Sequence, residues 1–514
     1  MKLARLALAS LFLAACTTEV IKVDANGNPV GGGGSGDNGG LPSAPKSPAA
    51  KVGITQIAVF QAVKVPVVAD GARVEERNAP IVAGRAGLVR VYVSPADGFT
   101  PGRIAGELTV KGADGKEQKF RDTRGISRAS SDATATSTLN FDLPADAFTV
   151  GATFSVSLTD DGGQGFNASQ APVRYPAGDA FDDLGVQATG VLKVVVVPVK
   201  YDADGSGRTP DVSEAQLGIY KRTLMGLYPA TDVQVTAREP YPWTTAITAN
   251  GAGFDQILNA MVSLRRRDRA ANDVYYYGVF VPQTSFESFC RRGCVSGLSG
   301  LVDDASDAAL RASVGLGYEG TQSADTMAHE IGHAHGRPHA PCGGAQGVDR
   351  SFPYKGGTIG TWGYDILSKQ YVSPEEGTDI MGYCDNTWVS DYTYSKLFDR
   401  IIAVSGVNQG IASSASAQGS QGGSAYRTFT FDGNGVATSS ETLSLTDEPK
   451  GNVSEVDYLG DAGGVVGHAR AHVYKYDHLE GGIVIVPENA APYASLRVRG
   501  LTRVMNVKGL LARH

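Results

Sequence analysis

The stretch H-E-I-G-H-A-H-G-R-P-H, residues 329–339, contains four of the eight histidines in this chain of 514 residues. His329 and His333 are four residues apart, so on an α-helix their side chains point in directions about 40° apart and can share one metal ion. Gly336 can adopt a left-handed conformation that ends the helix, so we expect His339 to return as a third ligand. Three histidines leave the fourth position of a zinc ion open, which is the arrangement of a catalytic and not of a structural site.

Glu330 lies beside the metal face of this predicted helix and not on it. A carboxylate in that place can take a proton from a water activated by the metal and pass it to a leaving amine. His335 lies well round the helix from His329, so we interpret it as a residue at the surface or behind the ligands. The alternative is a buried helix with incidental histidines, but it would have to explain the glutamate, the glycine and the third histidine together.

The pattern around the motif predicts a helix over residues 324–335. Ser323 is the candidate N-cap, and Asp325 in the first turn suits the positive end of the helix dipole. We expect the face opposite the histidines to be buried, because it is apolar and consists of Ala324, Met327, Ile331 and Ala334.

A second element, D-I-M-G-Y-C at residues 379–384, follows the long histidine motif. Together the two resemble the metzincin metallopeptidases, in which a turn with a methionine forms an apolar floor beneath the three histidines. The resemblance implies that role for Met381. Tyr383 matches a tyrosine of the astacin and serralysin branches, where it can approach the zinc and help to stabilise an oxyanion. A phenol can donate a hydrogen bond to such developing negative charge.

The sequence also departs from those two branches. Asp379 stands where they usually carry serine, and Gly382 stands where they carry histidine. Ala340 follows the third histidine in place of a residue that marks a branch. The resemblance therefore covers the motifs within roughly residues 190–406 and assigns no subfamily.

The N-terminus has the features of an export signal. Lys2 and Arg5 precede an apolar stretch over 6–15 that is too short to span a bilayer permanently. The ending L-A-A-C resembles a bacterial lipobox, which implies cleavage before Cys16 and lipidation of that residue. An ordinary signal peptide with an incidental cysteine is the alternative. Thr17, which is not an aspartate, favours the outer membrane over the inner one, with the membrane face left open.

Four further cysteines are expected to form disulfides, because export exposes the protein to an oxidising compartment. Four cysteines allow three pairings. We favour Cys290–Cys294, which closes the small loop C-R-R-G-C, and Cys342–Cys384. The second bond would staple the third-ligand segment to the methionine turn, and we hypothesise that it rigidifies the site.

Composition indicates a globular chain of several domains. The hydrophobic fraction is 42%, and the net charge of −7 gives no electrostatic footprint for nucleic acid. We expect an α/β (α+β) metzincin-like zinc protease domain, with a mixed sheet and an active-site helix, between two β domains. The predicted divisions are a lipoprotein signal peptide at 1–15, a lipidated cysteine and flexible Gly-rich tether at 16–52, a β-sandwich at 53–187, the catalytic domain at 188–408, a linker at 409–425 and a small β domain at 426–514.

Within the catalytic domain, strand and helix patterns alternate. An edge strand within 297–318 is expected to border the substrate cleft, where an extended peptide could add as a further strand. The loop-rich residues 340–393 are expected to wall the specificity pocket. The predicted strands are 192–199, 233–239 and 273–281, and the predicted helices are 213–228, 253–269 and 393–405.

The segment from Asp202 and the three C-terminal histidines are not interpreted as metal sites. The segment D-A-D-G-S-G from Asp202 partly matches a calcium loop, but no acid stands at its twelfth position, so we expect a turn; a structural Ca²⁺ ion there has no further support. His468, His472 and His478 are interpreted as surface or turn residues and not as ligands.

These observations predict a lipid-anchored zinc metalloendopeptidase that cleaves proteins or glycoproteins. Its partners would be a protein substrate and, through Cys16, a membrane. Two alternatives are a non-catalytic binding or adhesion lipoprotein that retains the zinc domain as a scaffold, and a zinc hydrolase of a non-peptide amide. The intact set of His329, Glu330, His333 and His339 argues against the first.

Overall fold

The computed structural model describes residues 19–22, 51–160, 173–407, 423–445 and 447–511. The predicted signal peptide and Cys16 lie outside these residues, as do most of the predicted tether and linker. None of the helices in the described ranges is long and apolar enough to cross a membrane. Two compact units divide the chain: the first is Met1–Ala58, Val67–Val74 and Ala86–Gly185, and the second is Val59–Pro66, Glu75–Arg85 and Val186–His514.

Two sheets that contain antiparallel strand pairs form the first part of the chain. Strand Leu139–Leu143 illustrates the sequence pattern that forms these sheets. Its buried residues alternate with partly exposed ones, as they do on a pleated strand with one covered face. One sheet has the order Glu19–Lys22, Glu117–Ile126, Gly102–Lys111, Thr153–Asp160 and Arg174–Tyr175, with Asp182–Asp183 also beside Thr153–Asp160. The other has the order Ala72–Arg73, Lys64–Ala69, Val52–Phe60, Gly87–Pro95 and Leu139–Leu143. Short 3₁₀ turns occupy Ala135–Ser137 and Ala145–Ala147.

A mixed sheet lies at the centre of the second unit. Its strand Leu192–Tyr201 carries the apolar run L-K-V-V-V-V-P-V and pairs with parallel neighbours on both sides, as a doubly covered strand should. The edge strand, Gly297–Ser299, is antiparallel to its neighbour. The sheet order is Val233–Ala237, Leu192–Tyr201, Val274–Phe280, Ala312–Leu316 and Gly297–Ser299, with Tyr241–Trp243 also beside Leu192–Tyr201.

Helices flank this sheet, so the mixed α/β organisation expected here is present. Serine side chains cap three of them: Ser213 accepts a hydrogen bond from Gln216 N, Ser285 accepts one from Ser288 N, and Ser390 accepts one from Thr393 N. The helices are Glu214–Leu227, Phe254–Arg267, Phe286–Phe289, Thr321–Ala334 and Asp391–Ser405, with 3₁₀ turns at Ala308–Leu310 and Lys355–Gly357.

The helix Thr321–Ala334, here called the motif helix, begins earlier than predicted, and Ser323 is not its N-cap. Gly320 takes that position with φ +105°, which suits glycine. The cause is tertiary. Gln216, on a neighbouring helix, accepts a hydrogen bond from Gly320 N at 3.0 Å and donates one to Gly320 O at 3.2 Å. These two hydrogen bonds from the Gln216 side chain fix the N-terminus of the helix at Gly320, so Ser323 lies inside the first turn.

The C-terminal part of the chain is a seven-stranded antiparallel sheet that shares a hydrophobic core with the mixed sheet. Buried residues of Phe254–Arg267 cluster with buried residues of the C-terminal part, among them Tyr474 and Tyr476. This common core fixes the C-terminal strands against the mixed sheet of the second unit. The strand order is Ala437–Leu445, Ser424–Asp432, Gly481–Pro487, Val465–Lys475, Asn452–Leu459, Ser495–Val498 and Met505–Asn506, and the short helix Lys508–Leu511 follows.

Residues 340–390 form mainly loops with short strand pairs. Gly363–Tyr364 pairs with Tyr371–Val372, and Thr378–Asp379 pairs with Thr387–Trp388. A further short pair, Ile81–Val82 with Val186–Gln187, is parallel.

The segment that partly matches a calcium loop is a turn. Gly205 N donates to Asp202 O at 3.2 Å, and the Asp204 carboxylate pairs with Arg208 at 2.5 Å. The acidic side chain at the centre of the segment is therefore engaged by a guanidinium group.

Candidate metal centre

The three histidines of the motif lie together. His329 and His333 come from adjacent turns of the motif helix, and His339 comes from the segment that follows it. In each ring the Nδ1 atom is held by a backbone carbonyl: Ile380 O for His329 at 2.6 Å, Arg337 O for His333 at 2.6 Å, and Gln346 O for His339. These bonds leave the three Nε2 atoms to face one another.

The donor set fits a metal ion. A carbonyl oxygen only accepts hydrogen bonds, so each Nδ1 carries the proton and each Nε2 presents a lone pair. The Nε2 atoms of His329 and His333 are 3.0 Å apart, and two lone pairs at that distance repel unless a cation lies between them. Ligands of a tetrahedral zinc ion, bound at about 2.0–2.1 Å, are themselves about 3.3 Å apart. The cluster is therefore compatible with zinc.

Burial keeps the helix histidines neutral. It lowers the pKa of His329 and of His333 well below the usual value, and the neighbouring imidazoles add to the effect. A neutral imidazole has the lone pair that a metal requires.

Glu330 is completely buried beside the histidines. Burial, followed by the negative charge of Asp477, raises the pKa of Glu330 well above its usual range. Its Oε1 atom lies 2.8 Å from His478 Nε2, and no described residue provides a hydrogen bond to Oε2. Gly297 on the edge strand lies directly against the carboxylate, where a Cβ atom would overlap it. Glycine at position 297 therefore leaves room for the Glu330 carboxylate that any other side chain would take.

The return of the chain to His339 follows the expected course. Gly336 has φ +78°, the left-handed conformation that ends the helix. Arg337 N then donates to Gly332 O at 3.0 Å, and Ala340 N donates to Met381 O at 2.9 Å. The segment of the third histidine is therefore tied to both the helix end and the methionine segment.

Met381 lies beneath the motif helix and is buried. Its sulfur packs against Gly332, where a Cβ atom would overlap it. Asp379, one of the residues that departs from the familiar pattern, is also buried; its carboxylate accepts from Met381 N at 2.9 Å and from Ser390 N at 3.0 Å. The aspartate connects the methionine segment to the start of the helix Asp391–Ser405.

Tyr383 lies at the rim of the cluster and is 42% exposed. Its hydroxyl is 3.0 Å from His339 Nε2 and also contacts His478 Nδ1. Burial, then the charges of Asp477 and Glu330, raise the pKa of Tyr383 well above its usual value. The phenol stays protonated and can donate a hydrogen bond.

Asp477 and His478 are site residues that the sequence analysis missed. They lie between the C-terminal strands Val465–Lys475 and Gly481–Pro487. In the described residues, potential ligand atoms of His329, His333, His339, Asp477 and His478 all lie within 4.8 Å of one another. His478 does lie in a turn, as predicted, but its side chain is mostly buried in the cluster. The only sequence feature that could have indicated these two residues as ligands is the adjacent acid and histidine of Y-D-H, directly after a clearly predicted strand.

The other histidines have mixed outcomes. His335 is buried and not at the surface; its ring stacks on Tyr275 with centroids 4.3 Å apart, and burial lowers its pKa to about 3. It therefore lies behind the ligands, which was the other interpretation. His468 is exposed and pairs with Asp457 at 2.7 Å. His472 is buried on a strand, so its assignment to the surface or a turn was wrong.

Both favoured disulfides are present. Cys290 and Cys294 are joined with Cα atoms 4.8 Å apart, and Cys342 and Cys384 are joined with Cα atoms 5.7 Å apart. The second bond connects the segment after the third histidine to the methionine segment.

Comparison with known proteins supports a zinc-dependent peptidase. The family model described as Peptidase M66 matches residues 310–397, which contain the histidine motif and Tyr383. No curated protein matches the chain. Among solved structures, the crystal structure of Parabacteroides merdae β-glucuronidase aligns at 12% identity over 46% of this chain and 31% of that chain, with a TM-score of 0.15. A likeness at that score carries no argument about fold or function.

Gly332→Ala should destabilise the protein, because the new methyl group would overlap the Met381 sulfur. We expect a loss of about 1–3 kcal/mol in the free energy of unfolding. Gly218→Ala is the matched control, since Gly218 is also helical and its methyl group would meet only the end of the flexible Arg222 side chain. That control should be neutral or gain up to about 1 kcal/mol. Denaturant unfolding measures both, and equal effects would contradict the close packing of helix and methionine.

Removing the Cys342–Cys384 bond with paired serine substitutions should destabilise more than removing Cys290–Cys294. The bonds join residues 42 and 4 positions apart, so loop-closure entropy predicts losses of about 4 and about 2 kcal/mol. Thermal unfolding of the two double variants gives the comparison. Mass-spectrometric mapping of the parent protein provides the control, and a free thiol at Cys384 would count against the staple.

Proposed function

We propose that the protein is a zinc-dependent endopeptidase in which His329, His333 and His339 hold the metal. The observation that carries the proposal is the convergence of three Nε2 atoms, each fixed through its own Nδ1, beside the buried carboxylate of Glu330. A retained scaffold would have no need of that carboxylate, because a buried acid without a full set of hydrogen bonds is costly.

The residues divide the chemical work among them. Zinc at this site would supply a polarised water and stabilisation of the carbonyl oxygen of the substrate. Glu330, held against Gly297 at the edge strand, is placed to accept a proton from that water and to return it to the leaving amine. Tyr383 is placed to donate its hydroxyl hydrogen to the oxygen on which negative charge develops.

We propose a peptide as the substrate because the site lies beside a sheet edge. Gly297 of the edge strand adjoins Glu330, so a peptide that extends the sheet would bring its backbone past the carboxylate. A small non-peptide amide would make no use of that edge. Proteins and glycoproteins both remain within this proposal.

Membership of the metzincin clan is part of the proposal. The position of Met381 beneath the motif helix and the φ of Gly336 support it. Export, lipidation at Cys16 and attachment to the outer membrane are proposed from the sequence alone. The division into a tether, two β domains and a catalytic domain likewise stays a prediction.

Glu330→Gln should lower peptide cleavage at least about 10²-fold while the protein keeps its zinc, since the change removes the acid–base group and no proposed ligand. The measurements are cleavage of a diverse peptide library, with and without a chelator, and zinc content by elemental analysis. Glu319→Gln is the control, because Glu319 is exposed just before the motif helix. If Glu330→Gln cleaved peptides as fast as the parent, the proposed role of Glu330 would be wrong.

A further inference from the structure

The open side of the edge strand is already paired with the chain's own C-terminal part. Gly300 and Tyr476 form an antiparallel bridge, so residues 475–478 run along the edge strand in the manner of an added strand. We call residues 475–478 the internal segment. Its further hydrogen bonds run from Leu301 N to Lys475 O at 3.1 Å, from Ser299 N to Asp477 Oδ1 at 3.0 Å, and from Asp477 N to Ser299 O at 3.4 Å.

Asp477 extends from this segment into the set of histidine ligands. Its side chain is 1% exposed, and its Oδ2 atom lies 3.2 Å from His333 Nε2. Two ligands of one tetrahedral zinc ion lie about 3.3 Å apart, so this spacing is compatible with two ligands of one ion. Oδ2 accepts no hydrogen bond from the described residues, and its other close neighbour is His478 Nε2, at 3.0 Å. A metal ion would give this buried carboxylate oxygen a direct partner.

His478 engages both groups to which the proposed reaction assigns a role. Its Nε2 atom lies 2.8 Å from Glu330 Oε1, and its Nδ1 atom contacts the Tyr383 hydroxyl. The Oε1 atom of Glu330 and the Tyr383 phenol are therefore both engaged while His478 is in place.

We propose that Asp477 is a fourth zinc ligand and that Asp477 and His478, at the end of the internal segment, obstruct the peptide-binding edge beside Glu330, so that a substrate must displace these two residues. This inference rests on the proposed function. Four protein ligands make a closed metal site, in which no position remains for a water. Asp477 and His478 also lie outside the residues that the peptidase family model matches. The proposed obstruction of the metal site is therefore a feature of the C-terminal part of this chain.

The displacement is local. Tyr474 and Tyr476 are buried in the core shared with the mixed sheet, so the strand before the internal segment and the start of that segment stay anchored. The turn that follows is short: it ends at Gly481, whose φ of +123° lies in the region that glycine adopts with ease. Asp477 and His478 can leave the cluster by movement of residues 477–480, without separation of the two sheets.

Asp477→Asn tests the inference, because asparagine keeps the Oδ1 acceptor for Ser299 N but removes the anionic ligand. We expect zinc affinity, measured by competition with a chromogenic chelator, to fall about tenfold or more. Binding of a peptide hydroxamate to the zinc-loaded protein should rise at least tenfold, because the competent state is no longer suppressed. Glu480→Gln is the matched control: it removes an exposed carboxylate from the same turn and should change neither quantity.

A second measurement needs no substitution. The cobalt-loaded parent should show the absorption of a site with four protein ligands, and its spectrum should change only at hydroxamate concentrations well above those that change Asp477→Asn. Unchanged zinc and hydroxamate affinities in Asp477→Asn would overturn the inference. A drop in its peptide cleavage to the level of Glu330→Gln would also overturn it, because Asp477 would then be required for the reaction and would not obstruct it.

The proposed function fails with a different signature. If the parent and Asp477→Asn both bind one zinc ion with the predicted difference in affinity, yet neither cleaves any peptide, the assignment of the fourth ligand stands and the peptidase proposal falls.

Discussion

Three hydrogen bonds from imidazole Nδ1 atoms to backbone carbonyls orient the three histidines of the candidate site. The accepting carbonyls belong to Ile380, Arg337 and Gln346, and each fixes both the direction and the tautomer of one ring. Because the carbonyls can only accept, three lone pairs must converge where one cation would relieve their repulsion. The loops around the motif helix are thus constrained by the site, and much of the local architecture serves to keep those carbonyls in place.

The packing beneath the helix serves the same end. Gly332 allows the Met381 sulfur to approach the helix backbone, and Asp379 fixes the methionine segment to the start of the next helix. The Cys342–Cys384 bond then joins that segment to the chain after the third histidine. Since Ile380 supplies the carbonyl for His329, the position of the methionine segment also sets the orientation of a ring in the cluster.

Local patterns could predict much of this structure. The spacing of His329, His333 and His339, the turn at Gly336 and the apolar strand after Leu192 are short-range signals, and each is present as expected. The start of the motif helix was missed because Gln216, more than a hundred residues away, holds Gly320. A sequence window around Ser323 contains no trace of that contact, so the local N-cap preference was overridden.

Asp477 and His478 were not predicted as site residues, and the reason is again a tertiary contact. Their place in the cluster depends on a hydrophobic core shared by Phe254–Arg267 and the C-terminal strands, and on pairing with the edge strand. No periodicity or motif near residue 477 encodes either contact. The local sequence predicted a turn, which is present, but the direction in which that turn points is decided by tertiary packing.

The most direct test of the central claim is X-ray absorption spectroscopy of the purified chain after loading with zinc. The account predicts one zinc ion per chain with three imidazole nitrogens at about 2.0–2.1 Å and oxygen as the remaining ligand. A chain that binds no zinc, or that binds it equally well after His329, His333 and His339 are all replaced by alanine, would contradict it.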